Sequence, residues 1–187
     1  MILLKKVVFL DRDGTINKDS VDYIKNWPEF VFLPRSIEAL CDLTAAGFKI
    51  IVITNQSAIG RRLISLQELE NIHSKMKAAV ESQGGKICDI FFCPHLPGDG
   101  CDCRKPAPGL IYQARQKHDI DLSTAVMIGD SARDIECAFK AGCGRNILVK
   151  TGNSRQAQQI LAEKELQPDY VAQDLHDAAR WLVGFQS

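Results

Sequence analysis

An excess of charge of one sign is the first thing this chain lacks: 23 Lys and Arg face 23 Asp and Glu. A zero balance removes the electrostatic reason to expect nucleic acid or a membrane surface as partner, while leaving room for a local basic pocket around a small anion. Also missing is any apolar run approaching the roughly 20 residues that cross a bilayer. The start, Met1-Ile2-Leu3-Leu4-Lys5-Lys6, has neither the charged-then-apolar order nor the small-residue cleavage site of a secretory signal, so a cytoplasmic protein is expected. No repeat, low-complexity tract or linker interrupts the sequence. Residues 1–187 are therefore read as one domain, compatible with a monomer.

What is present is an ordinary apolar fraction of 45%, enough for a sizeable core, and seven cysteines. Short apolar runs at 6–10, 49–53, 87–92, 125–128 and 147–149 read as buried strands. Helical spacing fills the gaps between them. Pro34 opens one helix that Gly47 stops, and Ser65 with Glu68 forms a capping-box signature for a long second helix. Further helices are expected near 109–118, up to Gly142, and in a tail (156–163 and 175–182) that packs on the outside. This alternation predicts an α/β fold: a Rossmann-like three-layer sandwich around a central parallel sheet. Ligands gather at the carboxyl ends of such strands.

Polar residues cluster at those ends. Asp11-Arg12-Asp13-Gly14-Thr15 places two carboxylates on a tight turn, either a plain acidic turn or a nucleophile (Asp11) beside an acid–base (Asp13). Two carboxylates so close require a cation or a shared proton, and Mg²⁺ suits oxygen ligands beside a phosphate. Asp130 and Asp134 follow the fourth strand and suit the magnesium shell, capping of the next helix, or both. Thr54-Asn55-Gln56-Ser57 offers donors for phosphate oxygens, with a plain polar loop as the alternative. Lys105 is the candidate cation.

Three thiols and an imidazole, Cys93, His95, Cys101 and Cys103, fall within eleven residues. Four N/S ligands match a closed structural zinc site, against the alternative of a chance cluster of thiols. Such a loop would hold Arg104 and Lys105 at the site rim. Cys41, Cys88, Cys137 and Cys143 read as core thiols; His73, His118 and His176 read as surface or packing residues.

Together, these segments resemble the haloacid dehalogenase-like phosphohydrolase superfamily over essentially the whole chain. The resemblance implies that Asp11 is the nucleophile and that Asp13 is general acid and base. It assigns the transferring phosphoryl group to Thr54 and Lys105. Mg²⁺ falls to Asp11, the Asp13 carbonyl and Asp130, with Asp134 in support. The stretches that hold cap domains in many members are too short here, so the chain is expected to be capless, with the zinc loop at 93–103. Within the capless zinc-bearing subgroup it looks most like the D-glycero-D-manno-heptose 1,7-bisphosphate 7-phosphatases. Asn17-Lys18-Asp19-Ser20, Thr54-Asn55-Gln56-Ser57, Gly129-Asp130-Ser131 with Arg133-Asp134, and Lys150-Thr151-Gly152-Asn153 carry that likeness. The implied substrate is a sugar bisphosphate of nucleotide-heptose synthesis. Asp19, Asn55, Gln56 and Ser57 would contact it, and Arg61 and Arg104 are candidates for its second phosphate. Other readings stay open: a histidinol-phosphate or other small-monoester phosphatase, a polynucleotide 3′-phosphatase, or a zinc-stabilised binding module without turnover. Ser131 and Val21 depart from one version of the heptose pattern, which leaves the anomer open.

Overall fold

The computed structural model describes residues 6–184. The reading of Met1-Ile2-Leu3-Leu4-Lys5 as no secretion signal lies outside these. Six strands form one parallel sheet: β1 Val7–Leu10, β2 Lys49–Asn55, β3 Ile87–Cys93, β4 Val126–Gly129, β5 Arg145–Val149 and β6 Tyr170–Ala172, in the order β3-β2-β1-β4-β5-β6. β1, β4 and most of β2 are buried on both faces, which is why their sequences are unbroken apolar runs.

Among the described residues, seven α-helices accompany the sheet: α1 Ser36–Ala45, α2 Ser57–Gly60, α3 Leu66–Glu81, α4 Gly109–His118, α5 Ala132–Ala141, α6 Ser154–Glu163 and α7 Leu175–Gly184. Alternation along the strands sorts their side chains to two cores. Val8, Leu10, Ile50 and Val52 meet Leu40 and Leu43 of α1, Ile72 and Met76 of α3, and Ala178 and Leu182 of α7. Val7, Phe9, Ile51 and Ile53 meet Leu110 and Ile111 of α4 and Cys137 and Ala138 of α5. α6 packs on α5 and β5 through Ala157 and Leu161. The expected three layers are therefore present.

Ser65 caps α3 as its spacing predicts, its Oγ accepting from Glu68 N at 3.1 Å. Two expectations need correction. The tail contributes a sixth strand, too short to stand out by pattern, and α7 buries Leu175, Ala178, Ala179 and Leu182 instead of lying outside. Ser57 opens α2, and Arg61 follows that helix directly. Residues 18–35 carry one 3-10 turn, Trp27–Glu29, and 94–108 no helix or strand, so neither segment builds a cap.

Candidate active site

The chain winds outward from β1 to β2 and β3, then returns to place β4 on the other side of β1. The crevice this reversal leaves at the carboxyl ends is the expected ligand site of an open parallel sheet. Asp11 N donates to Ile128 O at 3.0 Å, tying the end of β1 to β4. Beyond it the chain turns tightly on Gly14, whose φ of +81° suits glycine. A Cβ there would come 2.5 Å from Asp130 Oδ2, so the turn and the end of β4 are pressed together by glycine alone.

This packing gathers Asp11, Asp130 and Asp134, each with an oxygen within 4.8 Å of the others. Lys105 Nζ sits among them, 2.9 Å from Asp11 and 2.6 Å from Asp134, and donates to Ile53 O at 2.8 Å. Asp134 also accepts from Ser131 N and Oγ, so it caps α5 and holds the lysine at once. Burial, partly countered by Lys105, pushes Asp11 up to about 7. Burial and the charges of Asp11 and Asp134 push Asp130 up to about 8. Crowded carboxylates of this kind are the donor set that a hard divalent cation such as Mg²⁺ fits and relieves. Lys105 stays charged: burial opposes its proton, but Asp11 and Asp134 raise it above the ordinary lysine value.

Asp13 is held by a different set of donors. Arg12 Nε and NH2 donate to its Oδ1 at 3.2 and 2.9 Å, and NH2 also reaches Oδ2 at 2.9 Å. Asn17 Nδ2 and Gln56 Nε2 add bonds of 2.9 and 2.7 Å. Burial disfavours the charge, but these donors outweigh it and hold the carboxyl below its usual range.

All but one of the remaining catalytic and substrate candidates line the same cavity of about 270 Å³, Thr54, Asn55, Gln56, Ser57 and Asp19 among them. Two of their amides have other partners than a ligand. Asn55 exchanges bonds of 3.1 and 3.0 Å with the Lys105 backbone, fixing the lysine, and Gln56 bridges Asp13 and Thr54. Arg104 lines the cavity, whereas Arg61 stacks 5.8 Å from the Tyr23 ring and is not among the lining residues. Arg133, which spacing alone did not single out, lines it as the exposed residue of the otherwise buried first turn of α5. Arg12 and His73 were missed as partners of the site. A charged residue between two aspartates was the available signal for the first, and helical periodicity concealed the second.

Beside the cavity, the Cys93, Cys101 and Cys103 sulfurs lie 3.2, 3.5 and 3.7 Å apart, and His95 Nδ1 lies 3.5 and 3.2 Å from Cys93 and Cys103. A disulfide needs about 2.05 Å. A tetrahedron with Zn–S near 2.3 Å has edges of roughly 3.7 Å, so the four atoms suit a zinc ion. Arg104 NH1 donates to His95 O at 3.0 Å, which couples this loop to the cavity rim.

Comparison with known proteins agrees with this geometry. Residues 102–178 match the family described as "HAD-hyrolase-like". A Pseudomonas aeruginosa D-glycero-beta-D-manno-heptose-1,7-bisphosphate 7-phosphatase is 46% identical over 79% of this chain and 83% of its own. A Photorhabdus laumondii relative named for the alpha anomer is 40% identical over 79% of this chain and 84% of its own. The crystal structure of D,D-heptose 1,7-bisphosphate phosphatase from B. bronchiseptica, complexed with magnesium and phosphate, superposes with a TM-score of 0.89. It is 40% identical and covers 96% of this chain and 99% of that one. Shared fold and this level of identity make the chain a phosphatase, and it belongs to the HAD-like family that these heptose-bisphosphate phosphatases represent.

Proposed function

We propose that this enzyme removes the 7-phosphate of D-glycero-D-manno-heptose 1,7-bisphosphate through an aspartyl phosphate on Asp11. The observation that carries the mechanism is the meeting of Asp11, Asp130, Asp134 and Lys105 at one end of a cavity rimmed by Arg104 and Arg133. In the first step Asp11 attacks phosphorus, the bond to the sugar oxygen breaks, and Asp13 protonates that oxygen. In the second, water attacks phosphorus and gives its proton to Asp13. The bond to Asp11 breaks, and inorganic phosphate and a free carboxylate result.

Lys105, fixed by Ile53, Asn55 and Asp134, offsets charge on the transferring group, while Thr54 and Ser57 sit where its oxygens arrive. Mg²⁺, which the Asp11 and Asp130 carboxylates and the Asp13 carbonyl would hold with Asp134 behind them, supplies electrostatic stabilisation of the phosphoryl oxygens. Zinc on Cys93, His95, Cys101 and Cys103 serves as a structural brace. Asp19 and Arg104 face the sugar and its second phosphate; Arg133, which lines the same cavity, takes the same role, and Arg61 braces Tyr23.

The test is phosphate release with Mg²⁺ from a panel: both heptose bisphosphate anomers, fructose 1,6-bisphosphate, histidinol phosphate and a 3′-phosphorylated oligonucleotide. One heptose anomer should lead in kcat/KM, the beta form because the relatives at 43 and 46% identity are named for it. A lead for histidinol phosphate would keep the mechanism and replace the substrate.

A further inference from the structure

Arg12 is one of the largest fully buried side chains of the protein, at 1% exposure, yet it stands between the two aspartates of the site. A guanidinium is a donor only, so each buried N–H needs an acceptor. Asp13 accepts from Nε and NH2, as described above. The remaining nitrogen, NH1, lies 3.1 Å from His73 Nε2 on α3. Since arginine cannot accept, His73 Nε2 does so, and the ring proton is left on Nδ1. Burial, aided by Arg12, pushes His73 down to about 3, in keeping with a neutral acceptor. The pair is boxed in by rings: Phe30 lies 5.9 Å from the guanidinium carbon and Phe92 6.0 Å from the imidazole. A chain of directed contacts thus runs from the buried face of α3 to both oxygens of Asp13.

We propose that His73 is a positioning residue for the reaction, acting through Arg12 to hold the Asp13 carboxylate in the orientation that accepts a proton from the attacking water. Arg12 meets Asp13 at two points, and a two-point contact fixes orientation only while the guanidinium itself is fixed. His73 supplies that anchor. Without it, NH1 is a buried donor lacking an acceptor, and the fork turns to find one at the expense of Asp13. The inference rests on the reading of Asp13 as acid–base and goes beyond it by naming what aims it.

The two chemical steps separate with p-nitrophenyl phosphate. Its leaving group departs without help from an acid, so phosphorylation of Asp11 needs little from Asp13. Hydrolysis of the phosphoenzyme still needs the base. Stopped-flow release of p-nitrophenolate, with Mg²⁺, is compared for wild type, His73→Leu and His73→Gln, the last placing an amide oxygen near the position of Nε2. His73→Leu should keep a burst rate within about twofold of wild type while steady-state turnover falls about 10-fold, with KM falling in step so that kcat/KM holds. His73→Gln should recover most of the loss.

Should leucine fail to fold at the assay temperature, His73→Ser, too short to reach Arg12, takes its place. Unchanged turnover in His73→Leu, a parallel fall in burst and turnover, or no rescue by glutamine would each overturn the proposal. Asp13→Asn separates the two levels. An active Asp13→Asn removes the acid–base reading together with the relay, whereas an inactive one beside a fully active His73→Leu overturns the relay alone.

Discussion

Buried charge at individual residues sets how this protein responds to acid. His73 is 7% exposed and bonded to a cation, so protonating it in the folded state is costly, and its value falls from 6.5 to about 3. In the unfolded chain the imidazole titrates near its ordinary value. Between those limits the unfolded state binds a proton that the folded state refuses. The contribution of His73 is therefore complete above pH 6.5 and is lost as the solution is acidified, at about 1.4 kcal/mol per pH unit. Urea midpoints measured from pH 6.5 down to 4.5 should fall less steeply for His73→Gln than for wild type. Equal slopes would mean that the imidazole accepts a proton without leaving its place. Asp13 adds a separate loss at lower pH: its value is held below 3.8, so its contribution is intact across this range and goes only in stronger acid.

Among the elements, the zinc loop is where local sequence and site mechanics meet. It joins β3 to Lys105 directly: Cys93 ends the strand, Cys103 precedes Arg104, and Gly60 N at the end of α2 bonds Pro94 O at 3.1 Å. Loss of a metal held by Cys93, His95, Cys101 and Cys103 would free a loop bonded to α2 through Pro94 and to the cavity rim through Arg104. Cys101→Ser, or chelation followed by restoration of Mg²⁺, should remove about one zinc per chain by mass spectrometry, lower Tm by several degrees and reduce kcat, with the loss reversed by zinc. Full activity in a zinc-free protein would show that Asn55 and Asp134 alone suffice to fix Lys105. This loop was legible in the sequence because metal ligands must be specific residue types at short range. The strands β1, β2 and β4 were legible because parallel strands buried on both faces are unbroken apolar runs, and β3 and β5 through the shorter apolar stretches they contain. By contrast, β6 has three residues and half-buried neighbours, and α2 has four, so neither carries a period to detect. Asn55 and Gln56 were read as substrate contacts and line the cavity, but the partners of their amides depend on where Lys105 and Asp13 lie in space, which spacing does not encode.

At the scale of the molecule, the site exists because the sheet reverses its winding beside β1. Asp11 hangs on β1 and Asp130 on β4, 119 positions apart in sequence, and no local motif brings them together. Their crowding opposes folding, as the raised values of both carboxyls show. Magnesium held between them would reverse that opposition and tie the two halves of the sheet. At 100 times its Kd such an ion adds about 2.7 kcal/mol to stability. For a chain of this size that corresponds to a rise in Tm of roughly 5–10 °C. Asp130→Asn tests the arrangement in both directions, because the amide keeps an oxygen for the bond from Asn153 N, 2.8 Å long in the wild type, while removing the charge. Without magnesium the variant should melt at or above wild type, since one of three crowded carboxylates is gone. With saturating magnesium the order should invert, wild type rising and the variant staying near its metal-free Tm. A variant that gains as much from magnesium as wild type would place the ion away from β4, leaving the crowding at the switch point to Lys105 alone.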